Sequence, residues 1–228
     1  MAKSEATTSP TDIFDLQAIA AERRVNIVRV AAIVVFYLVH FLRVNGPRFS
    51  ELFPSLNLNF GSQVPMVVHV CVSVLCFGWL MQCVLVYQHT NRDRISDWLG
   101  VYVTLGDLGW LTALLCMSTG PASPMVSGYF LIIMLTGIRF DLRLTRIATV
   151  AAGLSYLFLL GAARWPFGLL REIKLESVSR FHQIVTVVSI VLAGIIVGQI
   201  VRHAYQIGRR TVADLDLDST KTEEAGHE

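Results

Sequence analysis

The chain has 228 residues, of which 54 % are hydrophobic and 16 % are charged, and its formal net charge is +2. Soluble domains are about 45–50 % apolar and about 25 % charged, so this composition indicates an integral membrane protein rather than a soluble domain. So small a net charge gives no electrostatic reason to expect a nucleic-acid partner. The lipid bilayer is the first partner that we predict.

Six apolar stretches come close to the roughly 20 residues that a transmembrane helix needs. The first follows a polar leader in which Ile13, Leu16 and Ile19 recur with helical spacing. We expect this leader to be either an amphipathic segment at the membrane surface or an extension of the first helix. The fold class is therefore all-α, a polytopic transmembrane bundle of about six helices. They are predicted near Ile27–Leu42, Val64–Tyr87, Trp98–Met117, Met125–Ile138, Ile147–Ala163 and Ile184–Val201.

Basic residues predict which face of the bundle is cytoplasmic, because Lys and Arg are enriched on that side. With both termini inside, six of the 19 basic residues fall on the outer face and the others on the inner face. We therefore predict an N-in, C-in protein of the cell inner (cytoplasmic) membrane. The six outer residues are Arg43, Arg48, Arg164, Arg171, Lys174 and Arg180.

The predicted organisation has three parts. Residues 1–24 form a cytoplasmic leader with the amphipathic segment, and residues 25–205 form the six-helix transmembrane domain. Residues 206–228 form a polar and acidic cytoplasmic tail. We expect the last helix to reach about Ala213 and the rest of the tail to lack regular structure, since it shows no apolar periodicity.

Asp107 lies near the middle of the third predicted helix, where an exposed carboxylate costs at least about 2.5–3.5 kcal/mol. Its side chain must therefore face the bundle, carry a proton or hydrogen-bond to a neighbour. Gly106 and Gly109 beside it would let another helix approach closely. Two interpretations stay open: a site for a ligand, a proton or a conformational switch, and a buried polar contact that fixes how the helices pack.

Three histidines are predicted at the outer end of three helices: His40, His69 and His182. Neutral imidazoles at one depth can ligate haem or a divalent metal, so the three are candidate cofactor ligands. No HxxxH or HExxH spacing supports a metal site, and three wetted polar helix ends are the alternative. No cofactor is firmly implied, and haem or quinone is the candidate.

Gly194 and Gly198 form a GxxxG motif in the last predicted helix. Small residues four apart make a flat face on which a second helix can pack. Homodimerisation through this helix and packing within one chain both remain open.

The chain contains no GxxxxGK[ST], GxSxG or HExxH motif. These motifs carry phosphate binding, acyl transfer and zinc hydrolysis in many enzymes. We therefore expect a protein that is not an enzyme.

The central stretch resembles a known type of membrane domain. An Asp-bearing helix is followed by a TGPASP turn, an apolar helix ending in GIR, an arginine-rich turn and a helix containing LSYLFLL. This pattern resembles the multi-helix membrane input domain of bacterial sensor histidine kinases, and membrane-anchored nucleotide cyclases carry a similar six-helix anchor. The likeness covers Asp107–Leu160 in detail and Arg23–Tyr205 in layout.

The resemblance implies a bundle that senses a membrane or redox cue and passes it through the last helix to a catalytic domain. We expect no phosphoacceptor helix, ATP-binding domain or cyclase domain after that helix. We therefore expect a sensor or regulatory input module that signals through another membrane or signalling protein. The alternatives are an accessory subunit of a respiratory or photosynthetic complex, a haem- or quinone-binding electron carrier and, last, a small transporter.

Overall fold

A computed structural model describes residues 10–52, 65–90, 97–165 and 178–225. In those ranges all regular structure is helical, with six α-helices, two short 3₁₀ helices and no β-strand. The predicted all-α bundle of six helices is thereby confirmed, while the side of the membrane on which the termini lie stays a prediction. The ends of the predicted leader and tail, residues 1–9 and 226–228, lie outside the described residues. The α-helices are α1 (Pro10–Leu52), α2 (Met66–Thr90), α3 (Asp97–Cys116), α4 (Gly128–Ile138), α5 (Leu142–Arg164) and α6 (Arg180–Ala225).

Five of these helices are long and apolar enough to cross a membrane. At about 1.5 Å per residue, segments of 19 to 28 residues match or exceed the roughly 30 Å of a bilayer core. Large apolar side chains point outward from them, such as Leu154 on α5 and Ile195 on α6, which are 62 % and 54 % exposed. The chain is therefore a multi-pass membrane protein. The five segments are Ile19–Leu42, Met66–Thr90, Trp98–Cys116, Leu142–Arg164 and Arg180–Ile207.

The shorter helix α4 runs back along α3. It begins beside the end of α3, where the Tyr129 and Thr112 hydroxyl oxygens are 2.9 Å apart. Just after its end, Arg139 donates to the carbonyl oxygen of Gly100, near the start of α3, at 3.2 Å. The two helices are therefore antiparallel over most of the length of α3.

Local chemistry explains the two turns that flank α4. Gly120 has a φ of 67°, a left-handed conformation that glycine adopts without a steric penalty. Ser123 then accepts the backbone N–H of Met125 and starts the second 3₁₀ helix, Pro124–Ser127. On the other side of α4, the Asp141 carboxylate accepts the backbone N–H groups of Arg143 and Leu144 and so caps the start of α5.

The helix that carries Asp107 lies at the centre of the bundle. Helix α3 packs against α2, α4 and α5, while α6 packs against α4 and α5, and α1 packs against α2. Leu111 and Leu115 of α3 are fully buried, as are Ala148, Ala152 and Tyr156 of α5. Polar side chains on the inner face of α3 must therefore find partners within the protein.

Helices α1 and α6 are longer than predicted. Helix α1 begins at Pro10, so the leader segment and the first membrane helix form one continuous helix, and it ends at Leu52 instead of near Leu42. Helix α6 continues to Ala225, beyond the expected end near Ala213. The sequence between Gly208 and Gly226 contains no Gly or Pro, so no residue there interrupts helical hydrogen bonding.

Candidate functional site

The buried carboxylate of Asp107 forms an ion pair with an arginine of α1. Its Oδ2 accepts a hydrogen bond from Nε of Arg29 at 2.7 Å, and each side chain is 3 % exposed or less. Arg29 lies within the apolar segment Ile19–Leu42, so both charges lie inside the membrane region of the chain. Because each charge compensates the other, neither is buried alone.

Two further side chains donate to the other carboxylate oxygen. Oδ1 of Asp107 accepts Nε1–H of Trp79 at 2.8 Å and an amide N–H of Gln82 at 3.3 Å. The Gln82 carbonyl oxygen in turn accepts Nε1–H of Trp110 at 2.7 Å. The carboxylate thus receives hydrogen bonds from three side chains, Arg29, Trp79 and Gln82.

Asn26 ties the same arginine to α2. Its Oδ1 accepts Nη1–H of Arg29 at 3.1 Å, and its own amide donates to the carbonyl oxygen of Cys83 at 3.1 Å. The resulting set of side chains holds α1, α2 and α3 together through polar contacts inside an otherwise apolar bundle. We call it the central network, and its members are Asn26, Arg29, Trp79, Gln82, Asp107 and Trp110.

A second polar cluster surrounds Arg139, in the turn after α4. Its Nη2 lies 2.7 Å from Oε1 of Glu22, and its Nη1 donates to Gly100 O and Thr104 Oγ1, both at 3.2 Å. Burial lowers the pKa of the Arg139 guanidinium, and the charge of Glu22 opposes that shift. An arginine remains protonated under these conditions. We call Glu22, Gly100, Thr104 and Arg139 the end network.

The spacing of residues on α1 and α3 aligns the two networks. Glu22 and Arg29 are seven residues apart on α1, with Asn26 between them, and Gly100 and Asp107 are seven apart on α3. Seven residues are about two helical turns, so each set lies on one face and the two networks are about 10 Å apart along the helices. Helices α1 and α3 therefore run parallel and are linked at two levels, directly through Arg29 and Asp107 at one and through Arg139 at the other.

The space beside the central ion pair is very small. A cavity of about 10 Å³ adjoins Arg29 and Asp107 and is otherwise lined by side chains such as Phe36, Leu111 and Ile132. One water molecule needs about 10–15 Å³ by this measure, so no organic ligand fits there. The geometry therefore favours a conformational or packing role for Asp107 over a ligand pocket.

The structure brings two of the three candidate histidines together. The rings of His40 and His69 stack at 5.4 Å between centroids and 12° between planes, with Nε2 of the first 3.2 Å from Nδ1 of the second. His182 lies exposed near the start of α6. Among the described residues, no three His, Cys, Asp or Glu side chains are grouped as metal ligands would be. The pair links α1 to α2 and does not form a three-histidine site with His182.

The four candidate packing glycines differ in their surroundings. A Cβ added at Gly106 would lie 2.7 Å from the Gln82 side chain, and one added at Gly194 would overlap the Thr149 side chain. A Cβ added at Gly109 or Gly198 would meet nothing within 4 Å. Only the first member of each pair is therefore held against a neighbouring helix within this chain.

Sequence reasoning found Asp107 but missed Arg29, Trp79 and Gln82. A detectable signal was present in α1, where Glu22, Asn26 and Arg29 share one face and the apolar stretch Val30–Val39 follows directly. No protein-family model matches the chain, and no curated protein or solved structure shows significant similarity to it.

Proposed function

We propose that the chain is a non-enzymatic regulatory input module of a cell inner membrane, in which α6 transmits the state of the bundle to a partner protein. One observation carries this proposal. Helix α6 is 46 residues long, and only its first part, Arg180–Ile207, is apolar enough to lie in the membrane. The remaining stretch to Ala225 extends the same helix by about 27 Å.

The central network supplies the element whose state would be transmitted. An apolar replacement of a buried ion pair is often as stable as the pair itself, whereas loss of one partner costs about 3–5 kcal/mol. A cue that protonates Asp107 or separates it from Arg29 would therefore change the packing of α1, α2 and α3. In the proposed switch, this contact selects between two packed arrangements of the three helices.

Direct packing connects the end network to α6. Gly137 lies two residues before Arg139, and a Cβ at Gly137 would be 2.7 Å from a methyl group of Val197 on α6. Glu22 of α1 reaches the same turn through Arg139. A displacement of α1 would thus act on the region where α4 touches α6.

The other functions have weaker geometric support. The cavity beside Asp107 is too small for an organic substrate. The ring nitrogens of His40 and His69 that face each other are 3.2 Å apart, whereas a metal ion held between two such nitrogens needs about 4 Å, so no iron fits between them in this arrangement. An accessory-subunit role shares the same architecture and is distinguished by the experiment below.

The test uses photo-crosslinking in native membranes. A photo-reactive residue is placed at single positions within 212–224 of α6. The comparison positions are Trp165, which follows α5, and Leu154, which lies on the lipid-facing surface of α5. We expect one signalling protein to crosslink to the α6 positions. We also expect its yield to change several-fold in the variant Arg29→Met/Asp107→Leu, which removes both charges and keeps the site filled.

The accessory-subunit alternative predicts a different pattern. A stoichiometric set of electron-transfer or light-harvesting subunits would crosslink to lipid-facing positions within the membrane, such as Leu154. Their yields would be insensitive to the charge-free variant. That pattern would overturn the proposed function.

A further inference from the structure

A groove of about 270 Å³ opens between α5 and α6 on the lipid-facing surface of the bundle. The two helices pack closely where Thr149 meets Gly194 and leave space beside that contact. Gly198, one turn further along α6, has nothing within 4 Å of the position of a Cβ, so the absence of a side chain there gives the groove its depth. The groove is therefore part of the built surface of the bundle and faces the lipid region.

Two arginines supply all of the charge in this groove. Arg146 of α5 and Arg202 of α6 line it, and no acidic residue does. Both side chains are exposed, and the two ion pairs found among the described residues use Arg29 and Arg139 instead. The groove thus presents two positive charges that no carboxylate of the described structure neutralises.

The polar and apolar linings are separated along the groove. Because α5 and α6 run antiparallel here, Arg146 near the start of α5 lies at the same end as Arg202 near the end of the apolar part of α6. Val150 and Val191 line the groove further from this charged end. The distance along α6 from Val191 to Arg202 is about 16 Å. This layout, charged at one end and apolar along the rest, is complementary to an amphiphile with an anionic head.

We propose that this groove binds one anionic phospholipid, with its phosphate between Arg146 and Arg202 and an acyl chain along Val150, Ile195 and Val191. Guanidinium groups bind phosphate oxygens through paired hydrogen bonds. Basic pockets between transmembrane helices are a known way of holding anionic headgroups. The site is independent of the proposed signalling role, since it involves neither of the two networks.

Native mass spectrometry of the detergent-purified protein with added phosphatidylglycerol tests this site. We expect one retained lipid, and we expect Arg146→Gln/Arg202→Gln to weaken its binding about thirtyfold, equivalent to ~2 kcal/mol at ~1 kcal/mol per arginine. The matched control is Arg164→Gln/Arg180→Gln, which removes two charges at the opposite end of the same helices. Equal losses in the two double variants would overturn the proposal, because the effect would then be one of net charge.

Three further measurements test whether the occupant is an anionic lipid. Gly198→Leu places a side chain in the groove at a position where its Cβ meets no neighbour, so it should abolish lipid retention while the protein stays folded; unchanged retention would contradict the proposal. Inorganic phosphate at the same concentration should not displace the lipid, because the acyl chain contributes to binding. Displacement by phosphate would assign the arginines to a soluble anion instead. Phosphatidylcholine should bind at least tenfold more weakly than phosphatidylglycerol, and equal binding would count against a charge-selective site.

Discussion

At the scale of single residues, the contact between Arg29 and Asp107 determines whether the bundle can hold charge in its interior. Either side chain alone would be an unpaired buried charge. In the folded protein the Asp107 carboxylate accepts hydrogen bonds from Arg29, Trp79 and Gln82, and Arg29 also donates to Asn26. The penalty for removing one member should therefore exceed the benefit of the pair itself.

A double-mutant cycle at this pair tests that asymmetry. We expect Asp107→Leu and Arg29→Met each to lower the free energy of unfolding by about 3–5 kcal/mol, because each leaves the other charge buried and unpaired. The double variant should lie within about 1 kcal/mol of the wild type. Unfolding in mixed micelles, followed by tryptophan fluorescence, measures all three values.

The control for this cycle is an arginine at the membrane surface. Arg180→Gln changes an exposed side chain at the start of α6 and should alter stability by less than about 0.5 kcal/mol. Strictly additive effects at Arg29 and Asp107 would show that the two side chains do not interact in the folded protein.

The carboxylate of this site could be predicted from the sequence, and its partner could not. A carboxylic acid in the middle of an apolar helix needs a polar neighbour, so Asp107 can be recognised from the sequence alone. Arg29 is 78 residues away and follows two other basic residues, Arg23 and Arg24, so the sequence predicts that it belongs with the basic residues of the inner membrane face. Only the folded bundle, in which the Arg29 side chain reaches Asp107 of α3, distinguishes a buried arginine from a surface one.

At the scale of helices, α5 and α6 meet through one of the two glycines of the GxxxG motif. Gly194 is buried against Thr149, whereas Gly198 borders the open groove. The sequence motif does not distinguish the two residues, and the structure shows that Thr149 of α5 lies against Gly194 and not against Gly198. The apolar runs predicted where the centres of the membrane helices lie. They did not predict where α1 and α6 end, because polar residues can continue a helix beyond the membrane.

Substitutions at these two glycines should therefore have different effects. Gly194→Leu should destabilise the protein by about 1–3 kcal/mol, since the new side chain must displace Thr149. Gly198→Leu should be neutral or slightly stabilising, because its Cβ meets no neighbour, the groove leaves room for the rest of the side chain, and leucine favours helix formation over glycine. Thermal unfolding in a mild detergent compares the two variants directly.

The same pair of variants addresses dimerisation. If the GxxxG face joined two copies of the chain, Gly198→Leu would disrupt the dimer and shift the mass measured by light scattering. An unchanged mass with a destabilised Gly194→Leu variant would assign the motif to packing within one chain.

At the scale of the whole molecule, the two ends of α5 indicate how the bundle sits in the membrane. Arg143 and Trp165 are both exposed, at opposite ends of this helix, and about 33 Å of helix separates them. That length matches the roughly 30 Å of a bilayer core, so the two side chains should lie on opposite sides. The excess of basic residues predicts that the Arg143 end is cytoplasmic. Since Arg202 of α6 borders the same groove as Arg146, the extension of α6 to Ala225 leaves the membrane on the Arg143 side.

Cysteine labelling in sealed vesicles tests this orientation. In a background without the four native cysteines, a membrane-impermeant maleimide added to right-side-out vesicles should label Trp165→Cys and leave Arg143→Cys unlabelled. Inside-out vesicles should show the reverse, because α5 crosses the membrane once. Labelling of Arg143→Cys from the outer side would show that the bundle has the opposite orientation in the membrane. The α6 extension would then leave the membrane opposite the cytoplasm, and a cytoplasmic partner could not contact it. Labelling of both positions from one side would mean that α5 does not cross, which its 23-residue length and apolar outer face argue against.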